Sequence, residues 1–224
     1  MPHTLTLQSI RPITHDVNEL TFIRPEGYEF QPGQATDFAL DRDGWRDEKR
    51  PFTFTSLPEA EHLQFTIKSY PSHDGVTEQI GKLEGGEDVL IEDAWGAISD
   101  HGPGTIIAGG AGITPFLSIL RARQAEHGDL DGYRLIFANS CEKDIILREE
   151  WEGMDGLRTV FTVTDQKDAD VETRKIDDAF LKAYVQDYDQ PFYICGPRPM
   201  VNDVRDELRR IGVPEEAIVT ENGW

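Results

Sequence analysis

The chain has 224 residues, 29% of them charged and 38% hydrophobic, with a formal net charge of -20. That length and balance suit one large or two compact globular domains rather than a disordered chain. The acidity disfavours nucleic acid and anionic membrane surfaces as partners, and two cysteines are too few for a disulfide framework or a four-cysteine metal site.

Residues 3–10 open with an alternating pattern that puts Leu5 and Leu7 on one side, which predicts a strand. No basic start leads into an apolar core there, and no apolar run approaches the length of a membrane span. A cytoplasmic location without a membrane partner is the expectation. Further strands are predicted at 17–24, 34–40, 50–56, 62–70 and 89–92. Turn signals separate them: Pro25-Glu26-Gly27, Pro32-Gly33 and the polar segment 41–49. Six short strands in this rhythm predict an antiparallel six-stranded β-barrel. Residues 75–83 break the pattern and predict a short helix with Val76, Ile80 and Leu83 on one side.

The Gly/Pro stretch 100–104 predicts a linker, which divides the chain into domains 1–100 and 101–224. Beyond it strands at 105–108, 133–138, 159–164, 191–195 and 217–220 alternate with helices at 114–127, 145–152, 177–184 and 199–211. This alternation predicts an α/β doubly wound parallel sheet with helices on both faces. Ligands of such sheets bind beyond the carboxyl ends of the strands. Those ends are 109–112, Asn139-Ser140, Thr164-Asp165 and Gly196-Pro197.

The stretch 105–120 carries the strongest local signal. A buried strand runs into Gly109, Gly110 and Gly112. Thr114 is placed to cap a helix with Pro115 in its first turn, and Gly128 is placed to end it. Strand, glycine turn and helix N-terminus together offer backbone N–H groups to a phosphate. The turn departs from the usual dinucleotide pattern, because Pro115 stands where the last glycine belongs. The six histidines show no paired spacing, so no metal centre is expected.

Three motifs in order resemble the ferredoxin–NADP(+) reductase superfamily. Arg50-Pro51-Phe52-Thr53 is similar to its flavin motif, 110–115 to its nicotinamide-nucleotide glycine motif, and Tyr193-Ile-Cys-Gly-Pro197 with Met200 to its Cys-Gly-Pro motif. The resemblance covers nearly the whole chain. It implies a flavin-binding barrel followed by a nicotinamide nucleotide-binding domain.

On the barrel, the resemblance implies that Arg50 holds a flavin phosphate, Phe52 lies against the isoalloxazine and Thr53 hydrogen-bonds flavin N5. A surface ion pair is the other reading of Arg50, and barrel core that of Phe52. Family members more often have tyrosine at Phe52, so a phenol contact is lost here. Thr66, Ile67 and Lys68 match the strand that lines the flavin. Gly75, Val76 and Thr77 match the segment that meets its pyrophosphate, which favours FAD over FMN.

On the nucleotide side, Gly110, Gly112, Ile113, Thr114 and Pro115 would hold the nicotinamide nucleotide, with Gly196, Pro197 and Met200 opposite. Cys195 would sit beside the nicotinamide C4, and Glu221 would assist hydride transfer. Trp224 would cover the outer flavin face. Simple packing is the alternative reading of Cys195, and a frayed tail that of Trp224.

The implied activity passes hydride from NAD(P)H to the flavin and then electrons to a separate acceptor, either a redox protein or a small oxidant. Ferredoxin, flavodoxin, a cytochrome and an oxygenase component are the protein candidates. The run 142–147 resembles the NADH-using cytochrome b5 reductase branch, and Asp165 adds negative charge nearby, so NADH is favoured. A monomer is expected. Two rival readings are an electron-transfer subunit of a larger oxidoreductase and a nucleotide-binding regulatory module without turnover.

Overall fold

The structure is a computed structural model that describes residues 2–70, 74–96 and 98–221. Its first half contains β1 (His3–Pro12), β2 (Val17–Ile23), β3 (Gln34–Leu40), β4 (Arg50–Thr53), β5 (His62–Lys68), α1 (Val76–Ile80), β6 (Asp88–Ile91) and β7 (Trp95–Gly96). The strands form an antiparallel sheet in the order β4-β3-β6-β1-β2-β5, with β7 added to β3. Beyond β4, Phe54 makes a single antiparallel bridge to Phe65 of β5, which nearly closes the sheet into a barrel. The predicted strand at 50–56 therefore stops at Thr53. The two-residue β7 lies outside the predicted pattern, because so short a pairing leaves no periodicity to read.

Alternation explains the barrel core. Leu5, Leu7, Leu20, Phe22, Phe38 and Phe65 point inward and are all at most 1% exposed. Edge-to-face ring pairs knit this interior, with Phe22, Phe38 and Phe65 mutually within 5.9 Å. Val76 and Ile80 of α1, with Leu83 just beyond it, plug one end of the barrel. The predicted helix at 75–83 is thus a single short one.

The second half contains β8 (Thr105–Gly109), α2 (Thr114–His127), β9 (Arg134–Asn139), α3 (Arg148–Gly153), β10 (Arg158–Val163), α4 (Asp178–Tyr184), β11 (Phe192–Cys195), α5 (Arg198–Arg210) and β12 (Ile218–Thr220). They build a parallel five-stranded sheet in the order β10-β9-β8-β11-β12. Side-chain alternation along β8 divides its two faces. Ile106 and Ala108 join α2 and α3 through Phe116, Leu120 and Trp151. Ile107 joins α4 and α5 through Phe180, Val204 and Leu208. Such burial on both faces is what a doubly wound sheet requires.

Two local expectations are corrected. Thr114 is not the cap of α2. Gly110 adopts φ +52°, and the chain bends straight from β8 into a 3-10 turn over Gly110–Ile113. Thr114 is then already helical, and its hydroxyl donates to the Ala111 carbonyl at 3.0 Å. The helix predicted at 145–152 begins only at Arg148. Leu147 takes a left-handed φ of 55°, while Ile145 and Ile146 turn into the core. The Trp151 indole N–H, donating to the Ile146 carbonyl at 2.8 Å, secures that turn.

The barrel and the parallel sheet meet in a tight seam. Gly33 N–H donates to Ser118 Oγ on α2 at 3.0 Å. A Cβ on Gly33 would lie 2.1 Å from the Ile98 carbonyl oxygen and 2.9 Å from Ile119 Cδ1, and its φ is +85°. Arg121 of α2 donates to the Thr55 carbonyl of the barrel at 2.7 Å while pairing with Glu150 through two bonds of 2.6 and 2.8 Å. Val17 of β2 and Ile98 are buried in the core of the parallel-sheet half. The stretch predicted as a linker is pinned as well. Asp100 accepts from Arg123, from the Tyr133 hydroxyl at 3.2 Å and from Gly102 N–H at 2.8 Å.

Gly33→Ala should therefore lower unfolding stability by roughly 2–4 kcal/mol, read as a shift in urea midpoint. The tyrosines over the linker give a pH signature. Burial, and then the Asp100 charge, push Tyr133 up to about 12, and burial raises Tyr193 too. A raised pKa stabilises the fold fully below the unfolded value of about 10, and that contribution is lost as pH rises toward the folded value. The urea midpoint should fall between about pH 10 and pH 12, and Tyr133→Phe should make that fall shallower.

Candidate functional site

A cleft of about 920 Å³ opens along the seam. One wall is the barrel, from β3, β4, β5 and β7. The other is the carboxyl edge of the parallel sheet, where β8, β9 and β11 end. This is the place where an open α/β sheet binds its ligand.

On the barrel wall the cleft meets Pro51, Phe52, Thr53, Thr66, Ile67 and Lys68, and Thr77 of α1. Thr53 is only 8% exposed, and Phe52 packs edge-to-face against core residue Phe38 at 5.5 Å. Phe52 thus serves the core and the cleft together. Lys68 Nζ lies 3.0 Å from Asp16 Oδ2.

On the opposite wall stand Gly110, Gly112, Thr114, Cys195, Gly196 and Pro197, then Met200 and Glu221. The glycine turn and the Cys-Gly-Pro turn touch backbone to backbone. A Cβ on Gly112 would lie 2.5 Å from the Cys195 carbonyl and the Gly196 nitrogen. Only glycine permits this approach, which sets Cys195 beside the glycine turn. Burial pushes that thiol well above the ordinary range, and the neighbouring Glu221 adds to the shift by charge and hydrogen bond. The thiol is therefore a neutral neighbour of the cleft and not a ready nucleophile.

Five residues named from the sequence do not line the cleft. Arg50 turns its guanidinium outward, donating to the Lys49 carbonyl at 2.7 Å and facing Glu48 at 3.4 Å. Val76, Ile113 and Pro115 are buried in packing, and Gly75 sits just before α1. Trp224 lies outside the described residues. The helix behind Gly75–Thr77 is five residues long, with no side-chain cap.

Other cleft residues lie outside the three motifs. Ala35 and Trp95 line the barrel wall; Asp144, Thr164, Arg174 and Lys175 line the far end. Asn139 is 8% exposed, and both of its amide atoms are buried without a hydrogen-bond partner. Leaving such a group unpaired costs about 1–3 kcal/mol, so Asn139 is primed for a polar ligand group. The strand-end rule marked Asn139 and Thr164 as crevice positions. Nothing in the local pattern marked Trp95.

The cleft suits a large ligand with polar groups. Its volume, the glycine cradle at Gly112 and the orphaned Asn139 amide all match large polar ligands. Among the described residues, no group of His, Cys, Asp and Glu could hold a metal ion. Iodoacetamide at pH 8 should label half-buried Cys141 in the native protein and spare Cys195 until the chain unfolds, as mass spectrometry of the digested protein would read. Equal native labelling of both cysteines would contradict the buried, neutral thiol.

The model of the oxidoreductase NAD-binding domain family matches residues 106–206. The reductase component of propane 2-monooxygenase from Rhodococcus jostii (strain RHA1) is 26% identical over 226 residues, 93% of this chain and 60% of that protein. NADH-cytochrome b5 reductase 2 of Mycosarcoma maydis is 28% identical over 227 residues, 89% of this chain and 63% of that protein. The chain thus spans about three-fifths of the length of these curated relatives. Among solved structures, the cytochrome b5 reductase domain of Ulva prolifera nitrate reductase superposes with a TM-score of 0.82 at 23% identity, covering 96% of this chain and 95% of that one. A ferredoxin NADP+ reductase from Neisseria gonorrhoeae with bound FAD and NADP superposes with a TM-score of 0.80 at 22% identity, covering 94% and 92%. A near-closed antiparallel barrel joined to a doubly wound sheet is the fold that these solved reductase structures share with this chain, and the oxidoreductase NAD-binding match lies in its second half.

Proposed function

We propose that the chain is an FAD-dependent NAD(P)H oxidoreductase, with residues 1–100 as its flavin domain and 101–224 as its nicotinamide nucleotide domain. One observation carries the reading: Thr53 from the barrel, and Cys195 with Glu221 from the parallel-sheet half, line a single cleft. A bound flavin would take hydride from the reduced nicotinamide and pass electrons on to a separate acceptor. The chain's own part is positioning and electrostatics.

Thr53 offers a hydroxyl where the flavin's central edge would lie. The glycine turn offers backbone N–H groups to the nicotinamide nucleotide without adding net charge. Cys195 holds a protonated, compact side chain where the two rings would approach. Glu221 keeps a carboxylate beside that thiol. Arg50 would leave Glu48 for the flavin pyrophosphate, whose two negative charges outweigh the single charge of the Glu48 carboxylate. Gly75, Val76 and Thr77, at the start of α1, favour FAD.

The acceptor is a redox protein or a small oxidant. The relatives named as reductase components of oxygenases, and those named cytochrome b5 reductases, support that choice. No helix among the described residues is long and apolar enough to cross a membrane. A monomer in the cytoplasm completes the reading. An electron-transfer subunit of a larger oxidoreductase is the second reading, favoured by the relative named as the electron transfer component of 2-halobenzoate 1,2-dioxygenase.

NADH is the favoured reductant. Asp144 lines the cleft at the end of β9, where a carboxylate suits a ribose 2′-hydroxyl and repels a 2′-phosphate. Lys175 on the same rim favours NADPH, whereas neighbouring Arg174 is already paired with Glu172 at 3.1 Å. An absorbance spectrum of the pure protein, before and after anaerobic NADH, should show a flavin band that bleaches. The ratio of kcat/KM for the two nucleotides should favour NADH at least tenfold. A protein that stays colourless after incubation with FAD would defeat the proposal.

A further inference from the structure

Ile23, Tyr70 and Trp95 are the large hydrophobic side chains exposed among the described residues, at 50%, 47% and 38%. Ile23 lies elsewhere on the surface, but Tyr70 and Trp95 both line the cleft. Exposed aromatic area collected in a concave site is the usual mark of a surface that a ligand covers.

Trp95 is the more informative of the two, because the sheet register fixes its place. On one side Ala35 of β3 pairs with Thr53 of β4, and on the other with Trp95 of β7. Directly paired residues of an antiparallel ladder point to the same face. Thr53, Ala35 and Trp95 therefore form one row across the barrel wall of the cleft. Two strand spacings, roughly 10 Å, separate its ends. The methyl group of Ala35 leaves the middle of the row shallow. A flat fused-ring system laid along the row would meet the Thr53 hydroxyl on one side and the Trp95 indole on the other.

We propose that Trp95 is a flavin-binding residue whose indole packs against the isoalloxazine ring that Thr53 addresses. This rests on the flavin reading of the cleft. It also gives a reason for a two-residue strand at this edge, since β7 holds the backbone of Trp95 against β3 and aims the indole into the cleft. Aromatic contact of this kind contributes beyond the area it buries.

The test compares wild type, Trp95→Leu and Trp95→Phe, each saturated with FAD and then dialysed. Two quantities are read: the dissociation constant for FAD and the fluorescence yield of the bound flavin. Indole quenches flavin emission by donating an electron to the excited ring when the two are in contact. Trp95→Leu should bind FAD about five- to tenfold more weakly and emit several-fold more brightly, with Trp95→Phe recovering most of the affinity. Circular dichroism of each variant checks the fold, and if the leucine variant unfolds, the brightness of the phenylalanine variant carries the test. Unchanged affinity and unchanged emission in Trp95→Leu would overturn the inference, including when electron delivery to an acceptor is slowed, which would make Trp95 a docking residue. Failure of the wild type to bind FAD would overturn the flavin reading itself, so the two failures are distinguishable.

Discussion

The closeness of Gly33 to α2 governs much of the molecule. No side chain fits between Gly33, the Ile98 carbonyl and Ile119, and the Gly33 amide is committed to Ser118. Around that contact Arg121 grips the Thr55 carbonyl, and Val17 is buried in the other half's core. The barrel and the parallel sheet thus meet through packed backbone and buried polar bonds. Packed interiors are not continuously deformable, so the seam fixes which strand ends face one another. It sets the ends of β4 and β5 opposite the ends of β8 and β11, and the cleft follows.

Within the cleft a second close approach repeats the same physics at smaller scale. Gly112 lies against the Cys195–Gly196 backbone. Two turns far apart in the chain thereby become one surface, with backbone N–H groups on one side and a buried neutral thiol on the other. The charge problem is handled locally. The proposed function asks a chain of net charge -20 to accept anionic dinucleotides. The cations on its cleft are few, and two are held by carboxylates: Lys68 by Asp16, and Arg174 by Glu172. Backbone dipoles must then do much of the work of holding phosphates, since they attract an anion without carrying net charge.

Much of the fold was legible because each half has its own periodicity. Period-two alternation along 3–10 and 62–70 predicted barrel strands, and the strand–helix rhythm after residue 104 predicted the parallel sheet. The errors fall where tertiary contacts override local pattern. Thr114 looked like a cap, but the Gly110 bend makes the chain helical before it. Ile145 and Ile146 looked helical, but the core takes their side chains and Leu147 turns left-handed to allow it.

The sequence by itself determined two element types in order and three motifs whose glycines, threonines and cysteine could serve a flavin and a nicotinamide nucleotide. Local propensity and side-chain periodicity act over a few residues, which is the range a motif spans. Only the tertiary structure decided that Thr53 and Cys195, 142 positions apart by their numbering, share one cleft. It also turned Arg50 outward, left the Asn139 amide without a partner and set Trp95 in register with Thr53. Those outcomes depend on strand register and on how closely two backbones approach, and both are set by contacts between residues distant in the chain.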